Sequence, residues 1–446
     1  MRKTARTLES WGRYPKQQHE VRELLWRDQA RDIESVPSSV LPFGMGRSYG
    51  DSCLNDGGTL LTTPALDHLL AFDEDNGLLR CEAGVTLAQI LQFGVPRGWF
   101  LPTTPGTKFV TVGGAIANDV HGKNHHVAGT FGRHVRRFEL VRSDGKTYLC
   151  SPEENPELYA ATIGGLGLTG LITWAEVQLR AVSGPYISMD SVRFGSLDEF
   201  FEVSAESDRD FEYTMSWVDC LASGKQMGRG LFMRGNHSWQ PHIPGKKAGF
   251  HQKIALPVDL PSFVLNRLSI KAFNTLHYHA QLPKRVHKTL PYDPFFYPLD
   301  SIGTWNKMYG QRGFLQHQCV IPHEAGAKGM RAILQAISDS GEGSFLAVLK
   351  TFGSLTSPGM MSFPRPGVTL ALDFPLKGAK TLALVDRLDD IVLEYGGAVY
   401  PAKDARMSSR MFDASFPRWR EFARYVDPGF SSSFWRRVTG DLKETS

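Results

Sequence analysis

The first segment whose residue types could do chemistry is a glycine-rich loop at residues 43–51. Gly44, Gly46 and Gly50 surround Arg47 and Ser48, and glycines let backbone N–H groups approach a phosphate closely. Arg47 could add a positive charge to such a site, and Ser48 could add a hydroxyl donor. On its own, this loop is equally compatible with an ordinary glycine-rich turn between two strands.

A second glycine-rich segment runs from residue 101 to residue 124. Pro105 and Gly106 indicate a turn, and Gly113 and Gly114 begin a stretch of small side chains against which a flat group could lie. His121 lies where that stretch ends in another glycine turn. Two such loops describe a cradle for a long diphosphate cofactor better than either loop does alone.

Two other patterns suggest binding sites that their context argues against. Residues 165–170 match the dinucleotide motif GxGxxG, but that motif needs a strand before it and a helix after it, and the predicted order here is reversed. The Walker motif GxxxxGK[ST] does not occur in the sequence. His121 and His125 are four residues apart, yet the HExxH carboxylate is missing, so no metal site is expected.

The elements that must position these loops are short strands and turns, which fill the first 180 residues. At 446 residues the chain exceeds what one core usually organises, so we expect two domains. Hydrophobic patterning and turn residues predict helices at 87–94, 154–163, 324–338 and 380–394. They predict strands at 59–62, 69–72, 78–83, 135–142, 147–150, 171–179, 230–233 and 315–321.

Composition and cysteine usage point to a protein of a reducing compartment. Five cysteines are scattered singly, which predicts neither a disulfide framework nor a zinc site. The first residues lack the apolar core of a signal peptide, and no run of about 18 apolar residues occurs. We therefore expect a cytoplasmic protein, which at most contacts the inner face of a membrane.

Basic charge is concentrated in one region of the chain. Between Lys225 and Leu290 there are eleven Lys or Arg residues and one acid, Asp259. This regional excess suggests an anionic partner, and because the rest of the chain is not basic, nucleic acid is not expected. The stretch interleaves its charges with Phe250, Ile254, Leu256, Phe263, Val264, Leu265, Leu268, Ile270 and Phe273.

Four of these motifs together resemble the FAD-binding domain (PCMH type) of the vanillyl-alcohol oxidase superfamily. They lie at residues 46–51, at 105–107 with 112–114, at 118–124 and at 165–170. Within that superfamily, residues 313–318 and 400–404 resemble the decaprenylphosphoryl-β-D-ribose 2′-oxidase family. The resemblance runs nearly end to end, in the family's order.

The resemblance implies an α+β fold, in which a two-subdomain FAD-binding domain carries an inserted cap of antiparallel sheet and helices. It places the FAD-binding domain at residues 1–182, the cap at 183–398 and a segment returning to the FAD domain at 399–446. Covalent members attach flavin through a histidine where this chain has Tyr49, so noncovalent FAD is expected. The implied FAD contacts are Gly44, Gly46, Arg47, Ser48, Tyr49, Gly50, Pro105, Gly106, Thr107, Gly113, Ala117, His121, Ile172, Tyr400 and Ala402.

Hydride transfer from an alcohol needs a base for the hydroxyl proton and positive charge to stabilise reduced flavin. The resemblance gives Lys403 the role of the family's essential active-site lysine. Gln316 and Gln318 alternate on a predicted strand and so share one face, where they could hold sugar hydroxyls or form the polar side of an edge strand. The remaining positions implied for the substrate cleft are Tyr309, Lys350, Lys123 and Asn124.

One departure from the family concerns a cysteine in the strand before Asp373. Ala371 occupies its place here, so thiol-directed covalent inhibition is expected to fail. Hydride transfer has no use for a thiol, and catalysis is not expected to suffer.

The resemblance implies that the chain oxidises the 2′-hydroxyl of a polyprenyl-phosphoryl pentose to the 2′-keto sugar. This would be the first half of an epimerisation in cell-wall arabinan or glycan precursor synthesis, completed by a partner NAD(P)H-dependent keto-reductase. The basic and apolar stretch suits a lipid phosphate at a membrane, although a charged loop with a partly buried helix explains it almost as well. The alternatives are an FAD-dependent oxidase of a free sugar, alditol or aldonolactone, and a flavin-bearing scaffold without turnover.

Overall fold

The chain begins with a four-stranded mixed sheet, seen in a computed structural model that describes residues 1–239, 254–255, 258–261 and 264–443. The strands Glu20–Glu23 and Val40–Phe43 each pair in parallel with the strand Thr59–Thr62. The first glycine-rich loop therefore leaves the carboxyl end of a strand in a parallel pair. In spatial order the strands are Arg2–Thr4, Glu20–Glu23, Thr59–Thr62 and Val40–Phe43.

A five-stranded antiparallel sheet follows and supports the second glycine-rich segment. Thr86 caps the helix Leu87–Gly94 in a capping box with Gln89, and Thr111 caps the helix Val112–Ala117. A short strand pair, Trp99–Phe100 with Arg180–Ala181, lies beside this sheet. The five strands in spatial order are Leu69–Asp73, Leu78–Glu82, Leu171–Gln178, Val135–Val141 and Thr147–Cys150.

The later part of the chain builds an eight-stranded sheet whose pairings are all antiparallel. One of its faces packs against three amphipathic helices, Leu197–Ser207, His323–Ser340 and Ala379–Glu394, and forms the largest buried apolar cluster. The strands in spatial order are Arg285–Pro291, Tyr186–Phe194, Gly230–Ser238, Tyr213–Val218, Ala347–Phe352, Gly367–Pro375, Phe314–Ile321 and Ala398–Val399.

The remaining helices are short or lie at the surface, and a small parallel pair joins Ile254–Ala255 to Ile302–Gly303. The other α-helices are His125–Ala128, Pro156–Thr162, Arg267–His279, Tyr292–Phe296, Ser409–Ser415, Trp419–Phe422 and Ser433–Lys443. The 3₁₀ helices are Arg27–Ser35, Asp51–Cys53, Val95–Arg97, Phe131–His134, Gly224–Gln226, Pro298–Ser301, Trp305–Tyr309 and Pro401–Lys403.

Residues after the eight-stranded sheet return to the first glycine-rich loop. The Tyr49 N–H donates to the Ala402 carbonyl at 2.8 Å. Arg437 pairs with two buried carboxylates, Asp51 at 2.7 Å and Asp404 at 3.0 Å. These contacts fix residues 400–404 against the loop.

The predicted α+β fold class is confirmed by this mixture of helices and antiparallel sheets. Residues 165–170 follow the helix Pro156–Thr162 and precede the strand Leu171–Gln178, which is the reversed order that excluded a Rossmann motif. The domain limits after residues 182 and 398 stay predictions. In the described part of the chain, no helix is both long and apolar enough to span a bilayer.

Candidate active site

A cavity of about 630 Å³ lies between the glycine-rich loops and the free face of the eight-stranded sheet. Small-molecule sites usually have volumes of roughly 300–1,000 Å³. Every predicted FAD-contact residue lines this cavity except Gly50, and every predicted catalytic residue lines it except Tyr309. Residues distant in sequence, from both loops, the sheet and the returning segment, therefore meet at one place.

Gly50, Tyr309 and Asn124 lie behind the cavity wall. A Cβ on Gly50 would stand 1.9 Å from the Asp404 carbonyl oxygen, so only glycine lets the returning segment pass this close. The Tyr309 ring stacks on Phe314 with 4.2 Å between ring centroids. Asn124 is buried and donates to the Pro102 carbonyl at 2.8 Å. The roles predicted for these three residues stay predictions.

The end of the cavity nearest the loops is walled by backbone. A Cβ on Gly106 would meet no atom within 4 Å, so this wall is open towards the cavity, and Gly46 has a φ of +60°, which favours glycine. The Arg47 guanidinium lies 3.9 Å from the centroid of the Trp11 ring, and its Nε donates to the Phe109 carbonyl at 3.2 Å. A glycine wall beside a fixed cation fits the diphosphate of FAD.

The opposite wall is polar and belongs to three adjacent strands of the eight-stranded sheet. Gln316 lies directly across from Asp373, and Lys350 lies across from Thr369. Paired residues in an antiparallel sheet point to the same side, as do alternate residues of one strand. Gln316 and Gln318 therefore share a face, and that face is the cavity wall.

His121 is held in one protonation state by its two neighbours. A lysine ammonium can only donate, and Lys350 Nζ lies 3.0 Å from His121 Nδ1, so opposite charged Lys350 Nδ1 accepts and the proton of the neutral ring is on Nε2. Burial, followed by the positive charges of Lys350 and Lys403, lowers the pKa of His121 well below its usual range. The ring is therefore neutral and carries its proton on Nε2.

That tautomer fixes the orientation of the Gln318 amide. One terminal atom of the amide lies 2.9 Å from His121 Nε2 and 3.0 Å from Thr369 Oγ1. Because Nε2–H donates, this atom is the acceptor oxygen, and the Thr369 hydroxyl can donate to it as well. The other terminal atom is buried and unpaired among the described residues. The Gln318 NH₂ group is thus the donor offered to a ligand.

Asp373 and Lys403 form the charged centre of the site. Burial raises the pKa of the Asp373 carboxyl to about 7, while donation from Gln316 and the charge of Lys403 oppose this. Burial lowers the pKa of Lys403 to about 8, opposed by the charge of Asp373. Gln316 Nε2 donates to Asp373 Oδ1. The sequence reasoning used Asp373 only as a marker in the strand and missed it as a site residue.

Two further lysines add positive charge around the cavity. Burial lowers the pKa of Lys123 to about 7, and its Nζ donates to the Phe295 carbonyl. Burial, followed by the charges of Lys403 and Lys123, lowers the pKa of Lys350 well below its usual range. Lys350 also donates to the Gly122 carbonyl at 2.7 Å. The described cavity wall contains one carboxylate, Asp373, against these three lysines.

The same face of the sheet becomes apolar as it leaves this polar centre. Val348 lies across from Trp217, and Met215 lies across from Met233, in the order of the strands towards the outer edge. All four line the cavity. Among the described residues, this apolar floor consists of Val348, Trp217, Met215, Met233, Met189 and Leu290.

The cavity reaches the protein surface beside the helix Arg267–His279. Phe273 and His277 of this helix line the cavity, and Phe273 is 46% exposed. The His277 ring lies 4.5 Å from the Trp217 ring, measured between centroids. The apolar floor therefore leads towards an opening at this helix.

The basic stretch carries less unpaired positive charge than its sequence indicates. Arg229 pairs with Asp219 at 2.9 Å and Arg234 with Glu206 at 3.1 Å, and both acids lie outside the stretch in sequence. Lys284 and Arg285 also pair with glutamates of the helix at residues 197–207. The regional excess of charge is therefore smaller than expected. The predicted positions Lys246, Lys247, Phe250, Lys253, Leu256 and Phe263 and the Ile254 side chain lie outside the described residues.

Comparisons with known proteins fit this geometry. Residues 14–151 match the family of FAD binding domains. A decaprenylphosphoryl-β-D-ribose oxidase of Mycolicibacterium smegmatis is 36% identical over 453 residues, and the alignment covers 98% of each chain. The chain belongs to the decaprenylphosphoryl-β-D-ribose oxidase family. It is an FAD-dependent oxidoreductase, as the sequence resemblance implied.

Two other similarities show how far that relationship extends. An uncharacterised protein of Streptomyces coelicolor is 32% identical over 372 residues, which cover 79% of this chain and all of that protein. A human Delta(24)-sterol reductase is 32% identical over 111 residues, or 25% of this chain and 22% of the reductase. This last similarity covers only part of each chain and carries no argument about the substrate.

Proposed function

We propose that this member of the decaprenylphosphoryl-β-D-ribose oxidase family oxidises the 2′-hydroxyl of a polyprenyl-phosphoryl pentose to the 2′-keto sugar. The observation that carries the proposal is the single sheet face that passes from polar groups to an apolar floor. A prenyl-phosphoryl sugar has the same sequence of parts, with a polar ring, an anionic phosphate and an apolar chain.

The polar end of this face offers what a sugar and a phosphate require. Gln318 presents its NH₂ group, and Gln316 has a buried carbonyl oxygen without a partner among the described residues. Burial lowers the pKa values of Lys123, Lys350 and Lys403, and an anionic group bound beside them would favour their charged forms. Such a site favours an anionic substrate over a neutral one.

The apolar floor suits an isoprenoid chain. Methionine side chains are flexible and polarisable, so Met189, Met215 and Met233 can adapt to a methyl-branched chain. Burying each CH₂ group of a ligand contributes about 0.8 kcal/mol. A free sugar, alditol or aldonolactone has no group to cover this surface, which is why we rank that alternative second.

Bound FAD supplies the hydride acceptor of the reaction. We propose that it is held noncovalently, with Gly44, Gly46 and Arg47 beside its diphosphate and Tyr400 and Ala402 beside its ring. Lys403 reaches the cavity from the returning segment, where its cation can stabilise the negative charge that develops during hydride transfer. His121 orients Gln318 through the Nε2–H donor.

The test is an anaerobic absorbance titration of the FAD-loaded protein with farnesylphosphoryl-ribose. We expect bleaching of the oxidised flavin band by this substrate and none by its 2′-deoxy analogue, which lacks the reacting hydroxyl. Free ribose and an aldonolactone serve as comparison substrates. Bleaching by either of them without bleaching by the prenyl compound would replace the proposal with the alternative.

We further propose that the protein contacts a membrane surface through the helix Arg267–His279. Leu268, Ala272 and Leu276 recur every four residues on its exposed side, while Ile270 and Asn274 face the core. Lys271 adds positive charge to that side, which suits an anionic lipid surface. A substrate anchored in the membrane would then meet the cavity opening.

The proposed product, a keto sugar, requires a second enzyme if the outcome is an epimer. Reduction of the 2′-ketone from the opposite face would complete the inversion. We propose an NAD(P)H-dependent keto-reductase as this partner, so the pair together would supply a precursor for cell-wall arabinan or another glycan.

A further inference from the structure

Oxidation of an alcohol releases a proton as well as a hydride, and few groups at this cavity can accept one. Each nitrogen of His121 already faces a partner, Lys350 or Gln318. The Lys123 ammonium donates to the Phe295 carbonyl. Lys350 donates to His121 and to Gly122. These three groups are therefore already engaged with protein partners.

The Asp373 carboxyl keeps an acceptor oxygen that no hydrogen bond of the described residues occupies. It is 1% exposed and is the one carboxylate on the described cavity wall. Gln316 donates to Oδ1, while Oδ2 is buried without a hydrogen-bond partner among the described residues. The Tyr309 hydroxyl approaches from behind the wall without meeting hydrogen-bond geometry. A carboxylate has about four lone-pair positions, so Asp373, which lines the cavity, retains acceptor sites beyond the bond to Gln316.

The charged groups facing Asp373 favour this role. Lys403 lies on the returning segment, and its charge interacts with that of Asp373, yet the two groups make no direct ion pair among the described residues. Tyr49 of the first glycine-rich loop and Tyr309 face the carboxyl from two further elements. Burial raises the pKa of both phenols, so neither competes with the carboxylate as a base near neutral pH.

We propose that Asp373 accepts the proton of the substrate hydroxyl while Lys403 holds the oxygen from the other side. The O–H bond breaks and its proton passes to the carboxylate, while the C–H bond breaks and its electron pair leaves as hydride to the bound FAD. The substrate carbon is oxidised to a ketone and the cofactor is reduced, so protons and electrons balance. The inference rests on the proposed alcohol oxidation and names its base.

The substitution that tests this role is Asp373→Asn, which keeps the size of the side chain and an oxygen for Gln316 while removing the base. General-base catalysis contributes roughly 10²- to 10⁴-fold, so we expect the anaerobic rate of flavin reduction by farnesylphosphoryl-ribose to fall by that factor. The wild-type rate should rise as the carboxyl ionises at about pH 7. In Asp373→Asn this rise should be absent, while FAD content and substrate Kd stay within about twofold of wild type.

Asp190→Asn is the matched control, because Asp190 is in the same sheet but points to the opposite face and bonds to His287 at 2.9 Å. Its rate and pH profile should match the wild type. Infrared spectroscopy gives a second readout, in which a carboxyl band titrating at about pH 7 should be missing from Asp373→Asn alone.

The outcomes separate this inference from the proposed function. If the substrate does not reduce the flavin of the wild type, the proposed function is wrong. The role of Asp373 is then wrong as well, because no hydroxyl proton is released. A wild type that is reduced, together with an Asn variant of equal rate and unchanged pH profile, would overturn the role of Asp373 alone. So would an infrared band that Asp373→Asn retains.

Discussion

At the scale of single residues, we expect Lys403 to set the alkaline limit of the reaction. Burial lowers the pKa of Lys403 to about 8, so its cation is present below that pH and is lost as the pH rises through it. We expect the rate of flavin reduction to fall above about pH 8. Lys403→Arg should remove this fall, because a guanidinium stays charged at every working pH. Stopped-flow measurement of the rate of flavin reduction across the pH range tests the wild type and Lys403→Arg.

Lys403→Met removes the charge of this side chain and keeps its length. Loss of one group that stabilises transition-state charge costs roughly 10²- to 10³-fold in rate, so Lys403→Met should be slow at every pH. Lys146→Met, at an exposed lysine that pairs with Asp144 in a turn, should leave the rate unchanged. If the rate of Lys403→Arg still falls at alkaline pH, another group is responsible for that fall.

Residues in local motifs could be predicted from the sequence, whereas Asp373 could not. The glycine-rich loops and the segment around Lys403 carry their resemblance in a few consecutive residues, and the structure brings them to one cavity. Asp373 becomes a site residue only because its strand pairs with Gln316, and strand pairing is not visible in one sequence. The alternation of Thr369, Ala371 and Asp373 was the available signal, but it did not say which face was the cavity.

At the scale of elements, the apolar floor should determine how the length of the substrate's prenyl chain affects the Kd. Met215→Gln with Met233→Gln keeps side-chain length and adds an amide to the surface where we place the prenyl chain. We expect the Kd for farnesylphosphoryl-ribose to rise about tenfold, from a loss of about 1.4 kcal/mol. The Kd for methylphosphoryl-ribose should stay unchanged. Titration of the flavin spectrum with each compound gives both constants.

Met308→Gln is the control for this pair of substitutions. Met308 is partly buried in the small aromatic cluster around Trp305 and does not line the cavity. Its Kd values should match the wild type for both compounds. Equal weakening of both compounds by the floor variant would place the prenyl chain elsewhere.

The eight predicted strands followed from local sequence, but the order of the strands in the sheets did not. Predicted strands at 59–62, 147–150 and 315–321 lie within one residue of the observed ones, because turn residues and alternation mark their ends. The strand at 230–233 continues to Ser238, since its last residues are polar and carry little strand signal. The order of the eight strands depends on long-range pairing, and only that order shows the polar face continuing into the apolar floor.

At the scale of the whole molecule, the exposed leucines beside the cavity opening should direct membrane contact. Leu268 and Leu276 are 78% and 72% exposed. Burying one leucine contributes about 1.5–3 kcal/mol, so Leu268→Ser with Leu276→Ser should weaken binding to vesicles of phosphatidylglycerol and phosphatidylcholine at least tenfold. Co-sedimentation with the vesicles measures this binding.

A matched pair of leucines lies on the edge strand Leu69–Asp73 of the five-stranded sheet. Leu69 and Leu70 are also exposed, and Leu69→Ser with Leu70→Ser should leave vesicle binding unchanged. Flavin reduction by a substrate in detergent should be the same in both double variants. Equal vesicle binding by wild type and by the Leu268 and Leu276 variant would exclude this helix as the contact.

The contact between Tyr49 and Ala402 has a consequence for biosynthesis. The glycine-rich loops leave the ribosome tens of seconds before Lys403 at ordinary rates of translation. Arg437, which secures the returning segment through Asp51 and Asp404, emerges later still. A nascent chain therefore exposes half of a cofactor site for much of its synthesis. We therefore expect insertion of the flavin to be completed after translation, and a cell poor in riboflavin to accumulate apoprotein.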